Sequence, residues 1–516
     1  MATKEDYAHA IFSHASKSKE EFLFLGVNYR SLSKFLQAPS PSSTVIHSNP
    51  YTAPEPWPYL AVHTYGPGGA VSKINFDDPS EAQSFLSTHS VSPEVCQLLF
   101  LRGFPSSDWL NTLGALYKVN PEFMRRHLDF LQSPLYYDLP AMPSSSRNIF
   151  DLKITTIGTR GSALGISDVQ KARQQELEAV RKHQTQLGMN KSIGDSIIRK
   201  FSNHDETNFT LEQNMSCYLK NHKGGFVVLI WLDTGKSLEF CSDGPWKQPK
   251  NSFIPVIQHR AKGPLKLVNP GLDKPQSSDI STPPSHTFQN ASLLATNYGS
   301  TLDAEAVPTA PLYALSELFS FASHSESQFL NFINSQVTRE VREYECELGP
   351  SIENLRYHRS LLEEHVEHIS YTLNLIRNGC GSNGTTGKAP LKVVSETLNS
   401  LQLDYENLLT RAQSLTARCI YGINGIMENA TSEESRKSRS QTEMYGRLSV
   451  LAFFWAPLSF ATGLFGMNFT ELGTGDHSIW LFFVVLVPLL VGSTVLAFPR
   501  LIGFGNRKRV DVMPTA

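Results

Sequence analysis

The sequence predicts an α+β membrane protein: an N-terminal α/β domain, a stalk of long antiparallel coiled-coil helices, and two transmembrane helices near the C-terminus. Three observations lead to this prediction. Strand-like and helix-like patterns alternate over residues 1–268, apolar residues then recur at steps of three and four, and two uncharged runs cover residues 448–465 and 479–498. The mean hydropathy of -0.23 excludes a chain made mostly of membrane helices, but it permits a few.

The overall composition excludes several classes of protein. A length of 516 residues suggests roughly three domains, and a net charge of -2 argues against a nucleic-acid-binding protein, which would carry a strong basic excess. The six cysteines show no CxxC spacing, so a disulfide framework or a zinc ribbon is not expected and a reducing compartment fits better. The N-terminus has neither the apolar core of a signal peptide nor an Arg-rich transit sequence, so we expect the chain to begin in the cytosol.

Residues 1–268 are predicted to form the cytosolic α/β domain. Four apolar runs predict strands at 59–65, 97–102, 151–157 and 226–233. Ser106 and Asn120 can each cap a helix, and Pro121 occupies the first helical position of the second one. Residues 269–311 are rich in Pro, Ser, Thr, Gly and Asn, which predicts a linker or a long flexible loop.

Residues 312–447 are predicted to form the stalk. Leu362, Val366, Ile369, Leu373 and Ile376 recur at steps of four and three, and the pattern resumes after a Gly-rich break at 379–390. A 3.5-residue period is typical of a coiled-coil seam, and a short break between two long helices favours antiparallel packing. Residues 391–456 contain no proline, so the second helix could continue unbroken into the first uncharged run.

Residues 448–498 are predicted to cross a membrane twice. As helices, the two uncharged runs would be about 27–30 Å long, enough to cross a hydrocarbon core, and two buried core helices are the alternative. Basic residues precede the first run and follow the second, whereas the connecting loop 466–478 has none. By the positive-inside rule both termini are cytosolic, including the basic tail 499–516, and the loop lies outside.

Gly466-Met467-Asn468 directly follow the first run, at the predicted outer face. A helix C-terminus is the negative end of the helix dipole, and carbonyl and amide oxygens there suit a hard cation that keeps its water, as Mg²⁺ does. Gly466 and Asn468 would hold such an ion through its hydration water, and Glu471 and Asp476 in the loop would raise the local cation concentration. Taken alone, the three residues are more simply explained as a helix C-cap.

The motif occurs together with two C-terminal spans, a short acidic loop and a long preceding helix. This combination resembles the CorA family of magnesium transport proteins, most like a fungal branch. The resemblance is specific over residues 435–498, general from about residue 312, and weak before residue 300, where 99–131 resembles the family's strand–helix–helix region. It implies a funnel-shaped homopentamer whose first span lines the pore, whose second span faces lipid, and whose outer selectivity filter contains Gly466 and Asn468.

The resemblance also implies a pore lining along the first span. The candidates are Ser459, Ala456, Phe453 (with Ala452 as the alternative at that level), Leu448, Tyr445 and Thr442. Leu448 and Tyr445 fall where the family has a hydrophobic constriction, which can close a pore by dewetting. Packing between helices is the alternative role for both residues.

A basic collar near the inner mouth is a further implication of the resemblance. Its candidates are Arg436, Lys437 and Arg439, which could equally be positive-inside flanks of a span. The sequence departs from the family in two places. The outer loop has Thr470 where the family has proline, and the stalk acids Glu428, Glu433 and Glu434 have no residue-by-residue match among the family's magnesium-sensing carboxylates.

Other motifs that could bind a metal or a phosphate are weaker. His365 and His368 lie beside Glu364 and Glu367 at metal-like spacing, and a solvated helix surface is the expected explanation. The stretch 234–237 has the end of a phosphate-binding loop but lacks its first glycine, so it is rejected. No arrangement of catalytic residues can be inferred from spacing, and we expect no enzymatic activity and no cofactor.

The sequence therefore predicts passive transport of a divalent cation across the plasma membrane. Mg²⁺ is the expected ion, with Co²⁺, Ni²⁺ and Zn²⁺ as further candidates, and the expected partners are other copies of the chain, the cations and the lipid bilayer. Two alternatives remain: a zinc or other divalent-cation transporter of the same superfamily, and a membrane-anchored scaffold or sensor that does not conduct. An enzyme with a C-terminal membrane anchor is a third, without support from residues 1–300.

Overall fold

The computed structural model divides the chain into two compact units, residues 1–422 and 423–516. The residues that the structure describes are 3–17, 28–39, 58–88, 95–131, 138, 142–189, 193–222, 225–241, 243–248, 250–258, 289–343, 348–379, 391–465, 470 and 478–497.

A mixed sheet forms the centre of the first unit. Its described strands are β1 (Leu60–Tyr65), β2 (Val71–Phe76), β3 (Cys96–Arg102), β4 (Ile149–Thr159), β5 (Lys200–Asn203), β6 (Asn208–His222), β7 (Gly225–Leu232) and β8 (Ser252–Phe253). Within the described residues the strand order is β2-β1-β3-β7-β6-β4-β8, with β5 paired to β6. Only the β3–β7 pair among these is parallel; the other pairs are antiparallel.

Helices cover both faces of this sheet. Alternate strand residues point to opposite faces, so Leu99 packs with the N-terminal helices whereas Phe100 contacts Tyr298 on the other side. On that second face Phe150 stacks on Phe319 at 6.0 Å between ring centroids. The helices of this unit are α1 (Lys4–Ser16), α2 (Asn28–Gln37), α3 (Pro79–Thr88), α4 (Ser107–Tyr117), α5 (Pro121–His127), α6 (Ile166–Gly188), α7 (Leu294–Asn297), α8 (Pro311–Ala314), α9 (Ser316–Glu343), α10 (Leu348–Asn378) and the first part of α11 (Lys392–Phe465).

The strands and caps predicted for the N-terminal part are confirmed. The four apolar runs correspond to β1, β3, β4 and β7. Ser106 caps α4 by accepting a hydrogen bond from the Trp109 amide, and Asn120 caps α5 by accepting one from the Glu122 amide. Pro121 is the first residue of α5, where its missing N–H costs nothing.

The second half of the predicted linker is packed instead of flexible. Ala295, Tyr298, Ala306 and Val307 are buried, and the Tyr298 hydroxyl donates to the Ala314 carbonyl at 2.6 Å. The His63 imidazole is 2.7 Å from the Ala295 carbonyl, which ties this segment to β1. Polar and small residues predicted a linker because the sequence does not show these distant partners. Residues 259–288 lie outside the described residues.

Three long helices follow. The α10 and α11 helices are antiparallel, as predicted: Arg377 binds Glu406 at 2.7 Å, while Leu355 at the other end of α10 lies against Gly422. The α9 helix runs parallel to α11, with the Tyr405 hydroxyl donating to the Phe319 carbonyl at 3.1 Å. The predicted seam is buried at Leu362, Ile369, Leu373, Ile376, Val394, Leu401, Tyr405, Leu408, Ala412, Leu415 and Cys419.

The second unit contains the rest of α11 and the helix α12 (Ile479–Ala497). The α11 helix runs unbroken to Phe465 with Pro457 inside it, as the sequence predicted. Among the described residues, no helix combines the length and the apolar character that crossing a membrane requires. The two membrane spans therefore stay a prediction.

The segment 234–237, rejected above as a phosphate loop, follows β7 and packs against the loop 193–196. The Gly235 amide donates to Ser196 Oγ at 2.8 Å, and Lys236 Nζ donates to the Ile193 carbonyl at 2.8 Å. A Cβ added to Gly235 would lie 2.2 Å from the Gly194 carbonyl oxygen and 2.9 Å from the Gly103 Cα. The glycine is thus needed for the close approach of three backbones.

We expect Gly235→Ala to destabilise the first unit by about 1–3 kcal/mol, because the surrounding backbone must move to accept the methyl group. The measurement is the thermal unfolding midpoint of the purified chain. Gly349→Ala is the matched control, since a Cβ there has nothing within 4 Å and alanine favours the helix. Equal midpoints for the two variants would contradict the close-approach argument.

Candidate functional site

The predicted filter and the acidic loop residues cannot be placed. Gly466, Met467, Asn468, Glu471 and Asp476 lie outside the described residues. The part of the predicted site that the structure does describe is the α11 segment that leads up to the filter.

The predicted pore-lining residues all lie exposed on α11. The side chains of Tyr445, Leu448 and Phe453 are 63%, 52% and 44% exposed. The six candidates from Thr442 to Ser459 follow one another at steps of three and five, which keeps them within less than half of the helix circumference. One face of this helix can therefore present all of them to a common axis.

Proline 457 changes the backbone on the same segment. Because proline has no N–H, the carbonyl of Phe453 receives no helical hydrogen bond from residue 457. The Thr442 hydroxyl, in contrast, donates to the Ser438 carbonyl at 2.8 Å within the helix. The Phe453 carbonyl therefore lacks the hydrogen bond that any other residue at position 457 would donate to it.

The basic collar candidates lie on a solvent-exposed segment of α11. Every residue from Thr431 to Ser449 is exposed, including Arg436, Lys437 and Arg439. None of these three forms an ion pair with a described residue. The stalk acids Glu428, Glu433 and Glu434 are exposed too. A helix that is exposed all round over this length needs a partner to be stable.

Exposed apolar side chains continue on both helices beyond this charged stretch. On α11 Trp455 and Phe460 are each 59% exposed, and on α12 Trp480 and Phe483 are 60% and 55% exposed. Large exposed apolar patches mark surfaces that other proteins or membranes cover.

The expectation of a solvated surface around His365 is wrong. The His365 side chain is completely buried, 2.8 Å from Glu326 on α9, and His368 accepts a hydrogen bond from the Lys153 amide at 3.0 Å. This face of α10 lies against the sheet, which a helical pattern containing Glu and His does not indicate. Within the described residues, no group of three or more His, Cys, Asp or Glu residues could hold a metal ion.

The fold also brings a serine, a histidine and an aspartate together, which spacing along the chain did not reveal. His127 Nδ1 is 2.8 Å from Ser216 Oγ, and its Nε2 is 2.9 Å from Asp233 Oδ1. None of the three residues is more than 6% exposed, and Arg199 occupies the other side of the Asp233 carboxylate at 2.7 Å. A serine without access to a substrate is not a nucleophile, so the cluster is structural.

Burial governs the ionisation of this cluster. It lowers the pKa of His127 to about 4, so the imidazole is neutral at pH 7. Burial alone would raise the pKa of Asp233, but Arg199 and His127 outweigh it and hold the pKa at about 2. The buried carboxylate is therefore stable only because its cationic partner is buried with it.

One family model matches the C-terminal part of the chain. Residues 385–502 match the family model of the CorA-like Mg²⁺ transporter protein, which confirms the resemblance for this segment. No curated protein matches the chain.

Two similar solved structures cover most of the chain at low identity. The full-length CmaX protein is 11% identical with a TM-score of 0.37, covering 87% of this chain and 100% of its own. The CorA magnesium transporter from Methanocaldococcus jannaschii is 12% identical with a TM-score of 0.38, covering 85% and 97%.

We expect Asp233→Asn to destabilise the protein by about 3–5 kcal/mol, because Arg199 loses the only one of its two carboxylate partners that is buried. Thermal unfolding at pH 7 measures this. Asp129→Asn is the matched control: Asp129 also binds Arg199, at 2.9 Å, but its side chain is 71% exposed, so a loss below about 1 kcal/mol is expected.

The pH dependence of the wild type gives a second measure of the same interaction. The pKa of Asp233 is lowered from 3.8 to about 2, so its contribution is complete above pH 3.8 and is lost as the pH falls through 2. Equal losses of stability at pH 7 in Asp233→Asn and Asp129→Asn would show that the burial of Asp233 has no special role.

Proposed function

We propose that this protein conducts Mg²⁺ passively through a membrane pore built from several copies of the chain, because residues 385–502 match the family model of the CorA-like Mg²⁺ transporter protein. The observation that carries the proposal is the position of Gly466-Met467-Asn468 inside this domain, at the end of the first uncharged run. The family match supports transport of a divalent cation, and the filter motif supports the choice of Mg²⁺.

The two uncharged runs 448–465 and 479–498 would be the membrane spans. They contain no charged residue, and each is long enough as a helix to cross a hydrocarbon core. Exposed tryptophan, phenylalanine and valine side chains on these helices support a lipid or protein environment around them. The basic flanks favour cytosolic termini, and the plasma membrane is the proposed location.

The pore requires several copies because two spans cannot enclose it. The α11 segment from Thr431 to Ser449, in which every residue is exposed, supports assembly, since neighbouring copies would cover it. A homopentamer with α11 facing the axis would place Tyr445 and Leu448 at a constriction and the basic collar below it. Each proposed role uses side chains that are exposed in the single chain.

The proposed filter selects a hydrated ion. Carbonyl and amide oxygens at Gly466 and Asn468 would bind the waters of Mg²⁺, which gives them up reluctantly. Glu471 and Asp476 would concentrate cations outside the pore. The driving force is electrical: a divalent ion gains about 4.6 kcal/mol per 100 mV of inside-negative potential, so no nucleotide is needed.

We expect Asn468→Ala to abolish most Mg²⁺ uptake into liposomes containing the purified protein, because the ring of amide oxygens at the filter is lost. Fluorescence of an enclosed Mg²⁺ indicator measures the uptake. Asn399→Ala is the matched control, since Asn399 is an exposed asparagine on the cytosolic part of α11. Uptake by Asn468→Ala at the wild-type rate would overturn the filter assignment.

The wild type distinguishes conduction from a scaffold role in the same experiment. A protein that forms oligomers in detergent, measured by mass, but shows no flux of any divalent cation in liposomes would be a scaffold or sensor.

A second prediction separates magnesium from zinc. Hexaamminecobalt(III) has the size of a fully hydrated Mg²⁺ ion and cannot exchange its ligands, so we expect it to block Mg²⁺ uptake from the outer side. Zinc at the same concentration should compete weakly. Strong zinc competition without a block by hexaamminecobalt(III) would favour a zinc transporter of the same superfamily.

A further inference from the structure

A buried group of opposite charges lies between the sheet and two helices of the first unit. It consists of Glu212 on β6, Glu326 on α9 and His365 on α10, and is called the His365 cluster below. One histidine therefore joins three elements that are far apart in the chain.

The geometry is that of a histidine between two carboxylates. His365 Nδ1 is 2.8 Å from Glu326 Oε1 and 2.9 Å from Oε2, and Nε2 is 3.5 Å from Glu212 Oε1. The imidazole is fully buried and stacks on Phe329 at 4.1 Å between ring centroids. With both ring nitrogens facing carboxylates, the doubly protonated imidazolium fits this position best.

Charge balance leads to the same protonation state. Glu212 also binds Lys153 Nζ at 2.8 Å, so the buried charges are two carboxylates, one ammonium and one imidazolium. Loss of the imidazolium proton to the solvent would leave one carboxylate uncompensated. An unpaired charge at a buried site is costly, and the packing that buries it must then loosen.

We propose that the His365 cluster is a pH-sensitive latch: the imidazolium holds α9 and α10 on the sheet, and its deprotonation releases them. Two further contacts close with the latch. Ser325 Oγ bonds both the amide and the carbonyl of Thr155 on β4, each at 2.8 Å, and the Lys153 amide donates to His368 Nε2 on α10 at 3.0 Å.

Several other ionisable groups face the cluster from the elements packed around it. Burial lowers the pKa of His204 and of His368, so both are neutral at pH 7, and burial raises the pKa of Tyr405. Glu212 raises the pKa of Lys153 despite its burial, so this lysine stays charged. The surrounding groups are Asp151 and Lys153 on β4, Lys200 on β5, His204 before β6, His368 on α10 and Tyr405 on α11.

The direction of the pH effect follows from the electrostatics. Burial disfavours the charged imidazole, but Glu326 and Glu212 outweigh it and raise the pKa of His365 from 6.5 to about 9. The stabilisation is therefore complete below pH 6.5 and is lost as the pH rises through 9. The latch is closed at neutral pH and opens under alkaline conditions.

Opening would reach α11 through its contacts with α9. The Tyr405 hydroxyl bonds the Phe319 carbonyl, and Arg411 donates to Ser327 Oγ at 3.0 Å and to Asn331. Release of α9 removes the surface to which this part of α11 is bound. The latch does not depend on whether the chain conducts ions.

Hydrogen–deuterium exchange of the full-length protein in detergent tests the latch, with labelling times scaled for the intrinsic effect of pH. We expect peptides of α9 and α10 to lose protection as the pH rises through about 9, while peptides of α4 stay protected. Identical pH dependence in the three helices would overturn the proposal, and this comparison requires no variant.

A matched pair of variants tests the assignment to this cluster. Glu326→Gln removes one carboxylate from His365, so the opening of α9 and α10 should move down by about one to three pH units. Glu364→Gln is the control: Glu364 is on the same helix as His365 but is 51% exposed and binds Lys200 at the surface, so the opening should stay near the wild-type pH. Coincident openings in the two variants would show that the cluster is not the latch.

Discussion

The first unit depends on α9 being bound on both of its sides. On one side Ser325 forms two hydrogen bonds to the backbone of Thr155 in β4, and on the other the Phe319 carbonyl accepts from Tyr405 of α11. These polar groups are buried, and unmade hydrogen bonds at such sites cost more than made ones gain. The contacts therefore set the position of α9 against the sheet and of α11 against α9, and the layer order sheet, α9, α11 follows.

The strands that could be predicted from the sequence are those whose buried side chains are apolar. The β3 and β7 strands lie side by side at the centre of the sheet and are continuous apolar runs. The β6 strand is longer than either, yet it was missed because Glu212, Gln213 and Asn214 stand in its middle. Their partners are far along the chain: the Gln213 side chain donates to the Ile197 carbonyl at 3.0 Å, and Glu212 binds Lys153. Such pairing allows a polar residue to be buried. The local sequence pattern of β6 does not reveal these distant partners.

Of the candidate site, too, only the features that depend on local sequence could be predicted. Charge-free length, basic flanks and a glycine–asparagine helix end are local features, so the spans, their orientation and the filter motif could be proposed from the sequence. The continuous helix from Lys392 to Phe465 was also foreseeable, because proline is absent up to residue 456. The burial of His365 was not, since its partners Glu212 and Glu326 come from a strand and another helix.

The two units differ in the environment of their charged side chains, and this difference is relevant to assembly. In the first unit the buried ions are matched, as Asp233 is by Arg199 and Glu212 by Lys153. In the second unit the charges between Thr431 and Ser449 are exposed, where an ion pair contributes at most about 1 kcal/mol. Exposed charges cannot stabilise a helix that buries nothing, and helix propensity alone is marginal over such a length. Helix propensity and exposed ion pairs leave this stretch marginal by itself, so a partner that covers it would add to its stability. Side-by-side copies would bring like charges to the same level, so the acidic and basic positions would have to be offset or bound to ions for the helices to pack.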